Sequence, residues 1–406
     1  MTRQADVIVV GGGVIGASVA YQLAGRGRKV ILVEKGDLAT GASGSCDTNI
    51  FLQSKNAGIH LKLALASAEL FKGLREELGH DIEYHVKGGM ILIETADELK
   101  IMEDFVARQR QTGLQVDIID RREASRRQRG LAEHLVAATY SPQDGDVNPI
   151  ELNLGFARAA HRLGAEILLH REVTGCIVKG GHMEGVETTQ GPLYAPVVVN
   201  AAGAWAPLIG RMAGLDLPIK PRRGQLMITE PVAPYIGQGI LSASYIVAKF
   251  NADKLEESKS RAVQLGVGLS LSQTQKGNIL IGGTREFVGY DVGNTHEAIQ
   301  AVLKNAVRFV PGLGSIHIIR TMGGVRPYTP DGLPLIGYVT NPEGYFMSAG
   351  HEGDGIALSP VTGKIVADLI VDGKTFMDVS ALDPNRFALS LNRNNSISGA
   401  EQATDF

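Results

Sequence analysis

The stretch Val7-Ile8-Val9-Val10-Gly11-Gly12-Gly13-Val14-Ile15-Gly16 decides the fold class of this 406-residue chain. Its four consecutive β-branched residues predict a strand that is buried on both faces of a parallel sheet. The glycines that follow the strand have the spacing G-x-G-x-x-G, at Gly11, Gly13 and Gly16. An apolar helical pattern comes next and ends near Gly25, and residues 29–33 predict a second strand. The order strand, glycine turn, helix and strand predicts a βαβ unit that binds a dinucleotide.

Each of the characteristic residues of this unit has a chemical role in binding a dinucleotide. Gly11 permits a sharp turn out of the strand, and Gly13 lets the backbone approach a pyrophosphate at the positive end of the helix. Gly16 allows the helix to pack closely on the strand. Glu34 follows the first glycine by 23 positions, where an acid hydrogen-bonds a ribose 2′-hydroxyl and repels a 2′-phosphate. The unit by itself does not distinguish NAD from FAD.

Net charge, cysteine spacing and the lack of long apolar stretches narrow the classes of protein to which this chain can belong. The net charge of −3 gives no reason to expect a nucleic acid or an anionic membrane as partner. The two cysteines, Cys46 and Cys176, form no CxxC motif, so we expect neither a metal site nor a disulfide framework. No apolar stretch approaches the length of a membrane span, and the N-terminus lacks the apolar core of a signal peptide. These observations predict a soluble, cytoplasmic protein.

Helical and strand-like patterns alternate along the rest of the chain. Helices are predicted at 59–79, 97–111, 150–163, 295–309 and 361–371. Strands are predicted at 90–93, 167–169, 173–178, 197–200, 224–230, 245–249, 266–273, 278–282 and 316–320. A polar loop at 251–261 interrupts the strands, and the tail from Asn392 is polar. We expect two discontinuous domains: a cofactor domain (1–87, 142–217 and 320–385) and a substrate domain (88–141 and 218–319), followed by a tail (386–406).

Two polar segments allow two interpretations each. The small residues from Thr40 to Asp47 line a second part of the cofactor or form a solvent loop. The segment from Arg121 to Arg129 holds five arginines in nine positions. It is either a solvated helix face or a docking patch for an acidic partner chain.

Four motifs in one order carry a family resemblance over residues 5–385. They are residues 9–16, Asn200-Ala201-Ala202-Gly203-Ala204-Trp205, the run 324–332 (GVRPYTPDG), and Gly350-His351-Glu352-Gly353-Asp354-Gly355-Ile356. The chain resembles the glycine-oxidase and D-amino-acid-oxidase (DAO) group of FAD-dependent amine oxidoreductases. The last of these motifs, together with residues 51–55 and 223–225, makes the chain most similar to β subunits of multi-subunit dye-linked enzymes. These include opine oxidases (octopine or nopaline dehydrogenases), D-hydroxyproline dehydrogenase, hydrogen-cyanide synthase and archaeal proline dehydrogenase.

The resemblance implies an α/β fold with an α+β substrate domain. A Rossmann-like FAD-binding domain of the glutathione-reductase-like, DAO type would be joined to a discontinuous antiparallel-sheet substrate domain. The residues implied to bind FAD are Gly11, Gly13, Val14, Ile15, Gly16, Glu34, Lys35, Ser43, Ser45, Val173, Ala201, Gly203, Gly350, Gly353, Gly355 and Ile356. Gly353 and Gly355 precede a predicted helix with Pro360 near its start, whose amides would face the flavin. No metal site is implied.

The chain also departs from some relatives. Gly324 stands where sarcosine-oxidase-like members carry the cysteine that attaches FAD, so we expect non-covalent FAD. Their carboxylate-binding lysine corresponds to Ala357. Val147 lies near the place of the histidine that tethers FMN in heterotetrameric sarcosine oxidases. A covalent FMN is therefore not supported, while a non-covalent FMN at a subunit interface stays open.

Three residues are candidates for contact with the substrate. An arginine at the position of Arg326 pairs with the substrate carboxylate in glycine-oxidase-like relatives, and the alternative is a structural salt bridge. Tyr245, on a predicted strand, would hydrogen-bond the substrate or wall the site, or it is a core tyrosine. His351 lies near the flavin edge or is a buried structural histidine.

The implied activity is dehydrogenation of a secondary amino acid such as an opine. Hydride would pass from Cα–H to flavin N5, and water would hydrolyse the imine. As a β subunit, the chain would work with an α subunit and a small iron–sulfur subunit and link indirectly to respiratory quinone. Alternatives are a D-hydroxyproline or proline dehydrogenase subunit, a stand-alone glycine, D-amino-acid or sarcosine oxidase that makes peroxide, and an electron-relay flavin subunit without a substrate site. An NAD-dependent dehydrogenase is a further, weaker alternative.

Overall fold

The structure, a computed structural model, describes residues 3–250 and 264–389. Its α-helices in these ranges are α1 (Val14–Gly25), α2 (Ile59–Leu78), α3 (Ala96–Gln111), α4 (Arg121–Arg127), α5 (Pro149–Arg162), α6 (Ala206–Met212), α7 (Ala243–Phe250), α8 (His296–Phe309) and α9 (Gly355–Asp372). The strands are β1 (Arg3–Gln4), β2 (Val7–Val10), β3 (Val30–Val33), β4 (Asn49–Ile50), β5 (His85–Val86), β6 (Gly89–Ile93), β7 (Asp117–Asp120), β8 (Ala137–Ser141), β9 (Gly145–Asp146), β10 (Glu166–Leu168), β11 (Val173–Lys179), β12 (His182–Thr188), β13 (Leu193–Tyr194), β14 (Val197–Asn200), β15 (Lys220–Pro231), β16 (Gly239–Ser242), β17 (Ser270–Gln273), β18 (Asn278–Gly282), β19 (Ile318–Tyr328), β20 (Leu335–Tyr338) and β21 (Tyr345–Ala349).

The first large sheet is built around β2 and has the spatial order β10-β3-β2-β14-β21-β20. Its strands pair in parallel from β10 to β21, and β20 joins antiparallel at the edge. Val7 and Val9 of β2 pack against α1, α2, α5 and α9, whereas Ile8 and Val10 pack against β11–β13 and α6. The four β-branched residues are therefore buried on both faces, as the sequence predicts.

The second large sheet is mainly antiparallel, with the order β19-β15-β18-β17-β16-β6-β8-β7. The pair β16–β6 is parallel and joins residues 239–242 to residues 89–92. Helix α8 covers one face, where Phe309 packs with Met227. Helices α3 and α7 cover the other, where Met102 packs with Ile91. Together the two sheets confirm the predicted α/β fold class with an added antiparallel sheet.

Tyr245 lies on a helix, so the strand prediction for 245–249 is wrong. The segment belongs to α7, and the Tyr245 backbone N–H donates to Ser242 Oγ at 3.2 Å, an N-capping hydrogen bond. Ile246 packs with Met102 and Phe105 of α3. Capping and packing on α3 outweigh the local strand propensity of the segment. The predicted loop at 251–261 and the tail from Asn392 lie outside the described residues.

Helix α9 also differs from its prediction because it begins at Gly355, which places Pro360 inside the helix. The proline nitrogen has no hydrogen for the Ile356 carbonyl. Ser359 Oγ donates to that carbonyl at 2.9 Å. The hydroxyl supplies the missing hydrogen bond, which lets the helix continue through the proline.

Helix α4 contains most of the predicted arginine segment. Glu123 forms ion pairs with Arg126 and Arg127 on this exposed helix.

Within the described ranges, no helix has the length and apolar character needed to cross a bilayer.

Candidate active site

The glycine turn after β2 leaves no room for side chains. Gly11 has a φ of +114°, and a Cβ at this position would lie 2.6 Å from the Ala201 carbonyl oxygen. Gly16 packs directly on the Gly11 carbonyl oxygen, so α1 lies close to the strand end. Gly13 precedes the helix, and Ser43 Oγ accepts a hydrogen bond from Val14 N at 3.0 Å. This turn brings the positive end of α1 to the carboxyl edge of the sheet.

Glu34 is fixed at the end of β3. One carboxylate oxygen accepts from Gly12 N at 2.6 Å, and the other accepts from Gly36 N at 2.8 Å. Next to it, the Lys35 ammonium lies 5.0 Å from the centre of the Trp205 ring. The backbone amides of Gly12 and Gly36 thus fix the orientation of the acid.

A cavity of about 370 Å³ starts at this turn and extends to the second sheet. It is lined by most of the predicted cofactor residues: Gly11, Gly13, Val14, Ile15, Glu34, Lys35, Ser43, Ser45, Val173, Ala201, Gly203, Gly353, Gly355 and Ile356. Arg326, Tyr245 and His351 line the same cavity. Gly16 and Gly350 do not: Gly16 supports Gly11 from behind, and Gly350, with a φ of +89°, turns the chain after β21.

The N-terminus of α9 faces this cavity through Gly353, Gly355 and Ile356. Asp354, the residue that precedes the helix, is held by two buried side chains, Lys55 and His60, that sequence reasoning did not identify. Lys55 Nζ lies 2.6 Å from Asp354 Oδ1, and His60 Nε2 lies 3.0 Å from Asp354 Oδ2. The network anchors the helix end that points toward the cavity. The run Phe51–Lys55 was a sequence signal for it, but without an assigned role.

Arg326 extends from β19 into the cavity and lies over the backbone of Gly224. A Cβ on Gly224 would be 2.6 Å from Arg326 Cζ, so the guanidinium can occupy this position only while residue 224 is glycine and would have to shift for a larger residue. Arg326 Nη1 donates to the Thr284 carbonyl oxygen at 3.0 Å, and Arg326 forms no ion pair with a carboxylate of the described residues. A half-buried guanidinium with donors still available is suited to bind a carboxylate ligand.

Behind Arg326 lies a buried layer of charge that the sequence did not reveal. Arg222 and Arg285 flank Glu352, with Arg222 Nη1 at 3.6 Å and Arg285 Nε at 3.8 Å from Glu352 Oε1. The Arg285 guanidinium stacks 3.9 Å from the ring centre of Tyr245. Burial lowers the pKa of Arg222 to about 10, opposed by the Glu352 carboxylate, so Arg222 stays cationic at neutral pH.

Asp47, the last residue of the small-residue segment, also lines the cavity. Its Oδ2 accepts from Ser270 Oγ at 2.5 Å, and its Oδ1 accepts from Asn49 N at 3.1 Å. These bonds join the cofactor-side segment to strand β17 of the second sheet.

The described part of the chain contains no cluster of His, Cys, Asp and Glu suited to hold a metal ion.

His351 is buried at the cavity wall, where its Nε2 lies 3.1 Å from Thr362 Oγ1. Burial lowers its pKa to about 3, opposed by the Asp354 carboxylate and reinforced by His60. The imidazole is therefore neutral at physiological pH and cannot act as a cationic binding group. Its location agrees with both sequence interpretations, a flavin-edge residue and a structural histidine.

The low pKa of His351 makes stability depend on pH. Between about pH 6.5 and pH 3 the unfolded chain binds a proton that the native chain does not, so stability from this residue falls as pH falls. We expect a loss of about 1.4 kcal/mol per pH unit in this window. Denaturant titrations from pH 7 to pH 4 should show a shallower slope for His351→Gln than for the wild type. Equal slopes would contradict the prediction.

Comparison with known proteins shows the family of this chain. Residues 6–369 match the family model described as FAD dependent oxidoreductase, DAO. The chain belongs to this family. It is 31% identical to hydrogen cyanide synthase subunit HcnC of Pseudomonas aeruginosa, over 95% of this chain and 97% of that protein. It is 32% identical to glycine oxidase of Geobacillus kaustophilus, over 95% and 98%. The crystal structure of L-proline dehydrogenase from P. horikoshii has a TM-score of 0.86 at 31% identity, covering 95% and 98%.

Membership in the DAO family makes the chain an FAD-dependent oxidoreductase that acts on the CH–NH group of an amine or amino acid. The cavity fits this cofactor for two reasons. Gly11 and Gly13, which line the cavity at the turn, carry no Cβ, and the N-termini of α1 and α9 face the cavity. Bound FAD supplies the acceptor for the hydride. The residues that would hold it are the lining set given above, with Glu34 at the ribose and the α9 end at the flavin.

Gly11 offers a test of FAD retention. We expect Gly11→Ala to purify with less than a tenth of the wild-type flavin content, since both the positive φ and the Ala201 carbonyl oppose a Cβ. Flavin absorbance relative to protein absorbance measures the loss. Gly27→Ala is the matched control: its φ is +71° and nothing lies within 4 Å of the added Cβ, so flavin should be retained. A fully yellow Gly11→Ala protein would contradict the assignment.

Proposed function

We propose that this chain dehydrogenates a secondary amino acid, an opine such as octopine or nopaline, with hydride transfer from Cα–H to flavin N5 and hydrolysis of the imine. The observation that carries this proposal is Arg326, a guanidinium on the cavity wall with no carboxylate partner among the described residues. Two parallel hydrogen bonds to a substrate carboxylate would fix the position of Cα relative to the cofactor. Tyr245, which lines the same cavity, would contact the substrate.

The other residues supply orientation and electrostatics. The amides at the start of α9 would stabilise negative charge at the flavin edge during hydride arrival, and Asp354 would keep that helix end in place. The absence of a side chain at Gly224 lets the Arg326 guanidinium lie directly over the backbone at the cavity wall. Gly324 packs on Ser45, with an added Cβ only 2.5 Å from Ser45 Cβ, which supports a non-covalent FAD.

We further propose that the chain is the β subunit of a cytoplasmic hetero-oligomer. An α subunit and a small iron–sulfur subunit would be its partners, with non-covalent FMN at a subunit interface and electrons passing on to quinone. Support comes from the relative at 31% identity that is named as a subunit of hydrogen cyanide synthase. The likeness to a proline dehydrogenase and to glycine oxidase favours the alternatives of a proline or D-hydroxyproline dehydrogenase subunit and a stand-alone oxidase.

Anaerobic reduction of the holoenzyme tests the proposal. Octopine, nopaline, D-hydroxyproline, L-proline, sarcosine and glycine are added separately, and bleaching of the oxidised flavin band is followed. We expect the opines to give the fastest bleaching. Fast bleaching by an imino acid or glycine would favour the alternative substrates, and stoichiometric peroxide under air would favour a stand-alone oxidase. A flavin that none of these amines reduces would refute a substrate site and favour an electron-relay subunit.

A further inference from the structure

Two opposite charges face the cavity without a counter-ion in the described part of the chain. The Asp47 carboxylate receives hydrogen bonds from Ser270 Oγ and Asn49 N, both uncharged donors, and forms no ion pair. Arg326 donates to a backbone carbonyl and likewise forms no ion pair. Charged groups that line a cavity and lack a partner are costly unless a ligand or water solvates them. Their arrangement therefore indicates the charge pattern of the ligand.

The two groups lie at the same end of the cavity. Ser270, which holds Asp47, pairs in the sheet with Gly282, and Arg326 binds the carbonyl of Thr284, two residues further along the chain. Gly282 and Gly283 line the cavity between these two positions. Both charges also act on the thiol of Cys46: burial and then Asp47 raise its pKa, whereas Arg326 lowers it. The cavity wall between the Asp47 carboxylate and the Arg326 guanidinium is therefore formed by glycines.

We propose that Asp47 and Arg326 form a binding site for a zwitterion, in which Asp47 accepts hydrogen bonds from the protonated amino nitrogen of the substrate while Arg326 binds its carboxylate. The carboxylate retains lone pairs after its bonds to Ser270 and Asn49, and it can accept a charge-assisted hydrogen bond. The substrate class is then an amino acid that binds with a cationic nitrogen. A proton must leave this nitrogen before Cα–H departs as hydride to the flavin, and the Asp47 carboxylate would accept it. This inference rests on the proposed amine substrate and adds the residue that recognises its nitrogen.

A two-point site has a consequence for selectivity. A ligand with only a carboxylate would satisfy Arg326 and leave Asp47 unpaired, whereas a zwitterion would satisfy both groups. Discrimination of this kind is large when the unsatisfied group is charged and partly desolvated. Glu352, the other carboxylate on this part of the wall, lies between Arg222 and Arg285 and is already neutralised. Asp47 is therefore the carboxylate suited to the amino group.

The test compares two probes of equal shape, 2-aminoisobutyrate and 2-hydroxyisobutyrate. Both carry the carboxylate, neither has a hydrogen on Cα that could leave as hydride, and they differ in the charged nitrogen. Binding to the oxidised holoenzyme is measured by calorimetry and by perturbation of the flavin absorption band. We expect the wild type to bind the amino probe at least tenfold more tightly than the hydroxy probe. Asp47→Asn should abolish this preference and change the affinity for the hydroxy probe less than threefold.

Ser270→Ala serves as a second variant, because it removes the hydrogen bond but keeps the charge at position 47. It should retain the preference for the amino probe. Equal weakening of both probes by Asp47→Asn, or no preference in the wild type, would overturn the proposal. Neither probe reduces the flavin, so these results are separate from the failure of the proposed function, which would appear as a flavin that no amine reduces.

Discussion

Replacing Arg326 by leucine is expected to lower kcat/KM for a carboxylate-bearing amine by about 100- to 1,000-fold, since two charge-assisted hydrogen bonds are worth about 3–4 kcal/mol. The guanidinium lines the cavity, donates to the Thr284 carbonyl oxygen and forms no ion pair with a carboxylate among the described residues. Leucine keeps apolar volume on β19 and removes the positive charge together with its hydrogen-bond donors. Steady-state kinetics with the best amine substrate, at equal flavin content, measures the effect.

A matched variant separates the charge of Arg326 from its position. Gly224→Ala keeps the guanidinium but adds a Cβ 2.6 Å from Arg326 Cζ, which must displace it. We expect a smaller loss of kcat/KM, about tenfold, with flavin content unchanged. If Arg326→Leu retained more than a third of the wild-type kcat/KM, the guanidinium would not bind the substrate, and a structural role would be favoured.

Asp354→Asn should lower the free energy of unfolding by about 3–5 kcal/mol, the usual result of removing one partner of a buried ion pair. Lys55 and Asp354 are only 3% and 6% exposed, and their charged atoms lie 2.6 Å apart. The substitution removes the carboxylate charge beside a buried ammonium that water cannot reach. Urea titration at a fixed free FAD concentration measures the change, because bound cofactor adds its own stabilisation.

The double variant Lys55→Gln/Asp354→Asn is the control for this effect. It removes both charges, so it should recover a large part of the stability that Asp354→Asn loses. A single variant that cost less than 1 kcal/mol would show that Lys55 is stabilised by its bonds to the Phe51 carbonyl and Ser54 Oγ rather than by Asp354.

The nucleotide turn could be predicted because its causes are local. The β-branched run of β2, the glycines at 11, 13 and 16, and Glu34 each act within a single βαβ unit, and the structure brings them together at one sheet edge. Tyr245 was placed on the wrong element because the strand-like pattern outweighed the local capping signal of Ser242 and because the contact of Ile246 with α3 depends on tertiary structure.

The charged layer beside the cavity could not be predicted, since it depends on pairing between distant segments. Arg222 stands opposite Arg326 because β15 pairs with β19 across more than a hundred residues, and Glu352 reaches Arg285 from a separate turn. Asp47 was visible as a residue of a polar segment, but its bond to Ser270 joins that segment to a strand more than 200 residues away in the chain. Sequence patterns predict which elements form, whereas these charge contacts depend on how the elements meet.

The order in which the cavity is assembled also bears on biosynthesis. The turn at Gly11 is bordered by Ala201, the guanidinium comes from residue 326, and the helix end at the flavin begins at Gly355. A ribosome must therefore release nearly the whole described chain before the cofactor site is complete. Amino-terminal segments that end before Arg326 and Gly355 lack these parts of the site, so we expect tight flavin binding only after the chain has been made through Ile356.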